Sequence, residues 1–195
     1  MARPGDVEAL HQAGAWARPV ALAREQLLPV LAPLEPLLID GGLRRGGTVS
    51  VEGACGGTTL ALALGAAVSG AGSWVAAVGL PALGLAAAAE LGVALERMVV
   101  VSHPPAQAWA TVVAALVDAV DLVWVGLPRR MTSDDARRLA ARARERGSVL
   151  VPLVPPAGSG WPQAVDVRLV VGSPTWVGPA GDGAGRLEAR RVEVV

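Results

Sequence analysis

Lysine, asparagine, phenylalanine and tyrosine are absent from this chain of 195 residues, and cysteine occurs once. A single cysteine, Cys55, cannot close an internal disulfide, which suits a reducing compartment. Two histidines and that one thiol, at unrelated spacings, are too few ligands for a structural zinc site. Seventeen basic side chains balance seventeen acidic ones, so the chain lacks the global positive field of a general nucleic-acid binder. Long hydrophobic runs are missing too. Ala54 to Val68 is broken by glycines and Thr111 to Val125 by Asp118 and Asp121, short of the roughly 20 apolar residues a membrane-spanning helix needs. The N-terminus meets Asp6 and Glu8 early and has no apolar signal core, so a cytoplasmic location and no membrane partner are expected. All basic residues are arginine, a bias of composition that warns against assigning a bidentate role to each of them.

What is present is a greasy, globular chain, 52% hydrophobic with mean hydropathy +0.46, of a length that fits a single domain. Residues 1–40 are expected to form a helical arm broken by Pro29, Pro33 and Pro36, serving either as a docking arm or as a segment packed on its own domain. Residues 41–195 form the α/β domain. Strands are predicted at Thr48–Glu52, Trp74–Val78, Met98–Ser102, Leu122–Val125, Val149–Val154, Ala164–Val171 and Leu187–Val194. Helices are predicted near Thr58–Ser69, Leu83–Leu91, Gln107–Val117 and Ser133–Arg146. The first five strands are short, apolar on both faces and separated by helices, as in a parallel sheet covered on both sides. The last two alternate with charged residues and flank the Gly/Pro stretch Gly172 to Gly185, so they read as an antiparallel extension at one edge.

The stretch GGLRRGGTVSVEGACGGTT, Gly41 to Thr59, organises this rhythm. A β-branched strand runs into a glycine-rich turn that opens an alanine- and leucine-rich helix, which is how backbone N–H groups are turned toward an anion at the positive end of a helix. The usual chemistry is missing. The full loop pattern places a lysine before the hydroxyl residue, and here Gly53, Ala54, Cys55, Gly56 and Gly57 lead to Thr58 and Thr59 without one.

This order of pieces resembles the RecA-type ATPase core. GGLRRGGTVSVEG resembles that family's entry to its nucleotide loop, WVAAVGLPALGLAAAAELGV (Trp74 to Val93) its second strand and helix, and VDLVWVGL (Val120 to Leu127) its fourth strand. In more detail, LEPLLIDGGLRRGGTV, GSWVAAVGLPALGLAAAAELGVALER and WATVVAALVDAVDLV are similar to the short actinobacterial ImuA-prime proteins, accessory members of an inducible mutagenesis cassette. The resemblance implies a RecA-like P-loop-type core with a mostly parallel twisted sheet flanked by helices. It also implies an ImuB-like partner, a catalytically dead Y-family polymerase homologue, and through it a DnaE-type polymerase and the sliding clamp.

Set against RecA, four positions have lost their phosphate chemistry. The lysine is matched by Gly57, the water-activating glutamate by Leu80, the magnesium-holding acid by Gly126, and the γ-phosphate sensor falls near Val154 and Pro155. Phosphoryl transfer is positioning plus stabilisation of spread negative charge, and these losses remove both. The expectation is therefore no enzyme, no metal and no cofactor, with Gly53, Gly56, Gly57, Thr58 and Thr59 a degenerate loop able to hold at most a weakly bound anion.

Other residues carry two readings each. Thr58 and Thr59 are loop hydroxyls or a helix N-cap. Cys55 is a reactive thiol or a small turn residue, and His103 a site residue at a strand's carboxyl end or an ordinary loop residue. Seven arginines fall between Arg129 and Arg146, and Ala136, Leu139, Ala140 and Ala143 define one apolar face of the helix beneath them. Arg129, Arg130, Arg137, Arg138 and Arg142 are accordingly candidates for contact with DNA or an acidic partner, or a solvated face. Trp161, exposed-looking in PPAGSGWP, and Trp176 in SPTWVG are candidate protein-contact anchors or residues folded back on the domain. The expected function is a non-catalytic adaptor in DNA-damage-induced translesion synthesis, recruited to the nucleoid at damaged DNA. The alternatives are a SulA-like inhibitor of FtsZ polymerisation and a modulator of RecA filaments or single-stranded DNA.

Overall fold

The computed structural model describes residues 26–155, 160–178, 185–186 and 188–195. The chain enters through a two-residue antiparallel ribbon, β1 (Leu27–Leu28) with β2 (Leu43–Arg44), which brackets a 3-10 helix at Ala32–Leu37. Pro33 and Pro36 lack N–H donors, so the segment makes one short turn in place of an α-helix. Leu28, Val30, Leu38 and Leu43 are buried in the main core, so this part of the predicted arm packs on its own domain; the rest, residues 1–25, lies outside the described residues.

Six strands follow: β3 (Val49–Glu52), β4 (Val75–Val78), β5 (Met98–Val101), β6 (Leu122–Gly126), β7 (Val149–Val154) and β8 (Val167–Val170). They form one parallel sheet in the spatial order β5, β4, β6, β7, β3, β8. Helices α1 (Gly57–Gly70), α2 (Leu85–Glu90), α3 (Trp109–Ala119) and α4 (Ser133–Arg146) cover it. Alternate residues of the central strands β4, β6 and β7 feed two cores. Val75, Ala77, Leu122, Trp124, Val149 and Val151 join the core that holds α1, while Ala76, Val78, Val123, Val125 and Leu150 join that of α3 and α4. Trp124 locks the first layer: its indole N–H donates to the Ala61 carbonyl at 2.7 Å, and Gly65 on the next turn of α1 has no side chain where the ring lies.

The predicted antiparallel extension is corrected in one strand. β8 runs parallel to β3, from Val49 opposite Val167 to Glu52 opposite Val170. Asp166 sets that direction, because its carboxylate accepts from the Thr48 N–H at 2.8 Å while its own N–H donates to the Thr48 carbonyl at 2.9 Å. The Arg168–Glu52 ion pair at 2.7 Å ties the strands farther along. An antiparallel edge does exist beyond it: Val171 bridges Val194, and Val170 and Val195 exchange N–H to carbonyl bonds. A separate antiparallel pair, β9 (Thr175–Val177) with β10 (Ala189–Arg191), stands outside the main sheet. Residues 179–184 of the predicted Gly/Pro stretch and Leu187 of the predicted last strand lie outside the described residues. Among the described residues no helix is long and apolar enough to cross a membrane.

Candidate functional site

The glycine turn lies between β3 and α1, as the strand, turn and helix order requires. Gly53 and Gly56 have φ of 147° and 99°, values that favour glycine, and a Cβ at Gly53 would press on Val171. The N-cap of α1 is Gly56, with no side-chain cap, so neither threonine caps the helix: Thr58 and Thr59 are exposed in its first turn. Thr59 Oγ1 instead accepts from the Arg190 guanidinium at 3.2 Å, and that guanidinium also lies 5.7 Å from the Trp176 ring centroid. A cation thus reaches the outer side of the loop from β10. Sequence reasoning missed this, since nothing near Arg190 in the chain marks a residue that ends 131 positions from its partner.

Beside the loop a cleft of about 320 Å³ opens at the carboxyl ends of β3, β4, β6 and β7. Gly57, Leu80, Gly126, Val154 and Pro155 all line it, together with Gly53 and Thr58. The four positions that the sequence resemblance singled out therefore share one site, although they are spread over about half the chain. The remaining lining residues are Val51, Leu127 and Leu153, so no charged side chain faces the space. Gly126 is more than an unsubstituted acid position. A Cβ there would collide with the Gly79 carbonyl, because the ends of β4 and β6 close together, and the Trp109 indole N–H donates to the Gly126 carbonyl at 3.1 Å. That backbone has no room for a carboxylate. Among the described residues no group of three His, Cys, Asp or Glu side chains comes together as metal ligands.

The arginine-bearing helix is α4, with Ala136, Leu139 and Ala143 buried and Ala140 half-buried. Four of its five arginines are exposed but engaged. Arg137 pairs with Asp134 at 2.9 Å, Arg138 with Asp135 at 2.6 Å, and Arg142 and Arg146 both hold Asp118 at the end of α3. Arg129 and Arg130 are exposed just before the helix. The hydrogen bond from Arg142 holds the Asp118 carboxyl below the usual carboxylate range against the opposing cost of desolvation, helped by the charges of Arg142 and Arg146. Asp135 is likewise held low, first by the Thr132 hydroxyl and then by Arg138. Cys55 and His103 are both exposed, with no nucleophilic or carboxylate partner among the hydrogen bonds described.

The two tryptophan candidates separate. Trp161 is only 8% exposed and packs in the core of α3 and α4, correcting its expected exposure; a Pro/Gly setting describes the backbone, not which way the indole turns. Residues 156–159 of its loop lie outside the described residues. Trp176 is 51% exposed on β9.

The family model described as MT3502 N-terminal domain matches residues 36–163. The uncharacterized protein Rv3395c of Mycobacterium tuberculosis is 37% identical over 155 residues, which are 76% of this chain and 72% of that protein. The chain belongs to the MT3502 N-terminal domain family. The matched span holds every wall of the cleft and both α3 and α4, and it stops short of β8 and the β9–β10 pair.

Proposed function

We propose that this member of the MT3502 family is a non-catalytic RecA-like protein of the ImuA-prime kind. It would bind an ImuB-like polymerase homologue and help bring a DnaE-type error-prone polymerase, and through ImuB the sliding clamp, to damaged DNA. The observation that carries the proposal is the cleft. It sits where open α/β sheets bind ligands, outside the carboxyl ends of the strands and next to a glycine turn that opens a helix. Yet it is lined by Gly57, Leu80, Gly126, Val154 and Pro155, and by no charged side chain. Transfer of a phosphoryl group needs cations and a placed carboxylate around the developing charge, and such a lining offers neither. A frame kept without its chemistry suits a protein that works by association.

The test is co-expression and pull-down of the full chain with the ImuB-like protein of the same organism, alongside measurement of ATP turnover. A stable complex and no turnover above buffer are expected. Absence of a complex, or ATP hydrolysis that Leu80→Ala or Thr58→Ala changes, would overturn the proposal.

A further inference from the structure

Between α3 and α4 runs an open groove of about 590 Å³, on the opposite side of the sheet from α1. Its floor is made of small or buried side chains, Ala110 and Ala114 of α3 with Leu139 and Ala141 of α4, and Thr111 stands on the uncharged α3 wall. Alanines on a helix surface leave holes that a larger side chain from another helix can fill. The α4 wall is different. Asp135, Arg138, Arg142 and Glu145 recur at spacings of three, four and three, so they form one stripe with the signs minus, plus, plus, minus.

We propose that this groove receives an amphipathic helix of a partner protein. That helix would place large aliphatic side chains on the alanine floor and a pair of carboxylates, one turn apart, against Arg138 and Arg142. Charge complementarity selects this occupant over two others. A second copy docking α4 antiparallel about its centre would lay Asp135 against Glu145 and Arg138 against Arg142, so like charges would oppose at every step. A nucleic-acid backbone would meet as many carboxylates as guanidinium groups along the wall, with Asp118 beside them. A helix with two acids between basic or neutral ends meets each sign correctly. The arginines can share themselves: Arg138 gives one N–H group to Asp135 and Arg142 gives two to Asp118, which leaves each guanidinium further donors for an incoming carboxylate, and both pairs lie at the surface, where ion pairs are held weakly enough to rearrange on docking.

The groove is a candidate seat for the ImuB-like partner and in that respect rests on the proposed function, but it can be tested without that protein. The probe is a capped synthetic helix of about 20 residues, with leucines at one-face spacing and two glutamates four apart beside them; its control carries lysines in place of the glutamates. Titrated into the full chain, the glutamate helix should bind at least about tenfold more tightly than the lysine helix. Ala141→Trp and Thr111→Trp, exposed positions that fill the groove, should each weaken it about tenfold, and Arg138→Glu about fivefold with loss of salt dependence. Arg144→Glu, on the side of α4 that packs its backbone near Gly46, should leave binding unchanged. Circular dichroism and melting check that each variant is folded. No binding of the glutamate helix, equal binding of both helices, or insensitivity to Ala141→Trp overturns the groove. So does self-association abolished by Ala141→Trp, or single-stranded DNA binding lost in Arg138→Glu. Repeating the ImuB pull-down with Ala141→Trp separates the two proposals: a groove that binds the probe in a protein that never captures ImuB leaves the groove and removes the adaptor, and undiminished capture by the variant does the reverse.

Discussion

A methyl group at Gly126 would run into the Gly79 carbonyl, whereas one at Gly57 would meet only a Val51 methyl, at 3.8 Å. These two of the cleft's three glycines are thus glycines for different reasons. Gly57→Ala adds an ordinary contact in the first turn of α1 and gains helix propensity, so stability should hold or rise by up to about 1 kcal/mol. Gly126→Ala must push β4 and β6 apart and should cost at least about 2 kcal/mol. Urea denaturation of the two variants measures both, and equal effects would show that the strand ends are not as tightly closed as drawn. The contrast bears on function, since a carboxylate introduced at 126 would be met by misfolding before it could hold a metal. The four positions set against RecA could be picked out in the sequence because each sits at a fixed step in the order of strands. Their convergence on one uncharged cleft, and the backbone contact that bars a side chain at Gly126, are tertiary facts with no mark in the chain.

At the scale of the element, α4 shows how a local signal and a distant one combine. Thr132 is its N-cap: the hydroxyl accepts from the Asp135 N–H at 3.0 Å and donates to the Asp135 carboxylate at 2.6 Å, and Gly147 ends the helix at φ 71°. Removing the cap with Thr132→Ala should cost about 1 kcal/mol in thermal or chemical unfolding. The helix limits, Ser133 to Arg146, are those predicted from the apolar face, which Ala136, Leu139 and Ala143 fill. Its binding to α3 through Asp118 could not be read, because Arg142 and Asp118 are 24 positions apart. The pH dependence follows from the sign of the shifts. Asp118 and Asp135 have carboxyls held below the ordinary 3.8, so their contribution to stability is complete above that value and is lost as pH falls through the lowered folded value. Melting temperature should therefore drop as pH is taken below about 4, and Asp118→Asn should reduce that drop while lowering stability at pH 7. An unchanged acid profile in Asp118→Asn would mean that Arg142 and Arg146 find other partners.

Across the whole molecule, legibility follows burial. β3, β4, β6 and β7 are covered on both faces, so near-continuous runs of Val, Leu and Ala announced a parallel sheet, and β5 at its edge carries the same run although Val100 is exposed. β8 alternates because it lies near an edge, and alternation reports which face meets water without reporting strand direction; that was set by Asp166 and Thr48, 118 positions apart. A similar unevenness marks the surface: from Gly53 to Val117 the only charged residues are Glu90, Glu96 and Arg97, and this stretch includes α1, β4, α2, β5 and most of α3. A nucleotide with its magnesium ion would bring concentrated charge to the least charged part of the protein, with the dipole of α1, the loop N–H groups and, on the outer side of the loop, the Arg190 guanidinium to meet it. A ligand that binds the folded state at one hundred times its Kd raises stability by about 2.7 kcal/mol, which for a chain of this size lifts Tm by roughly 5 to 10 °C. Millimolar ATP with magnesium should leave Tm unmoved to within about 1 °C, so any site would have a Kd in the millimolar range or weaker. A rise of several degrees, cancelled by Thr58→Ala, would establish a working nucleotide site and return the cleft to a ligand-binding role.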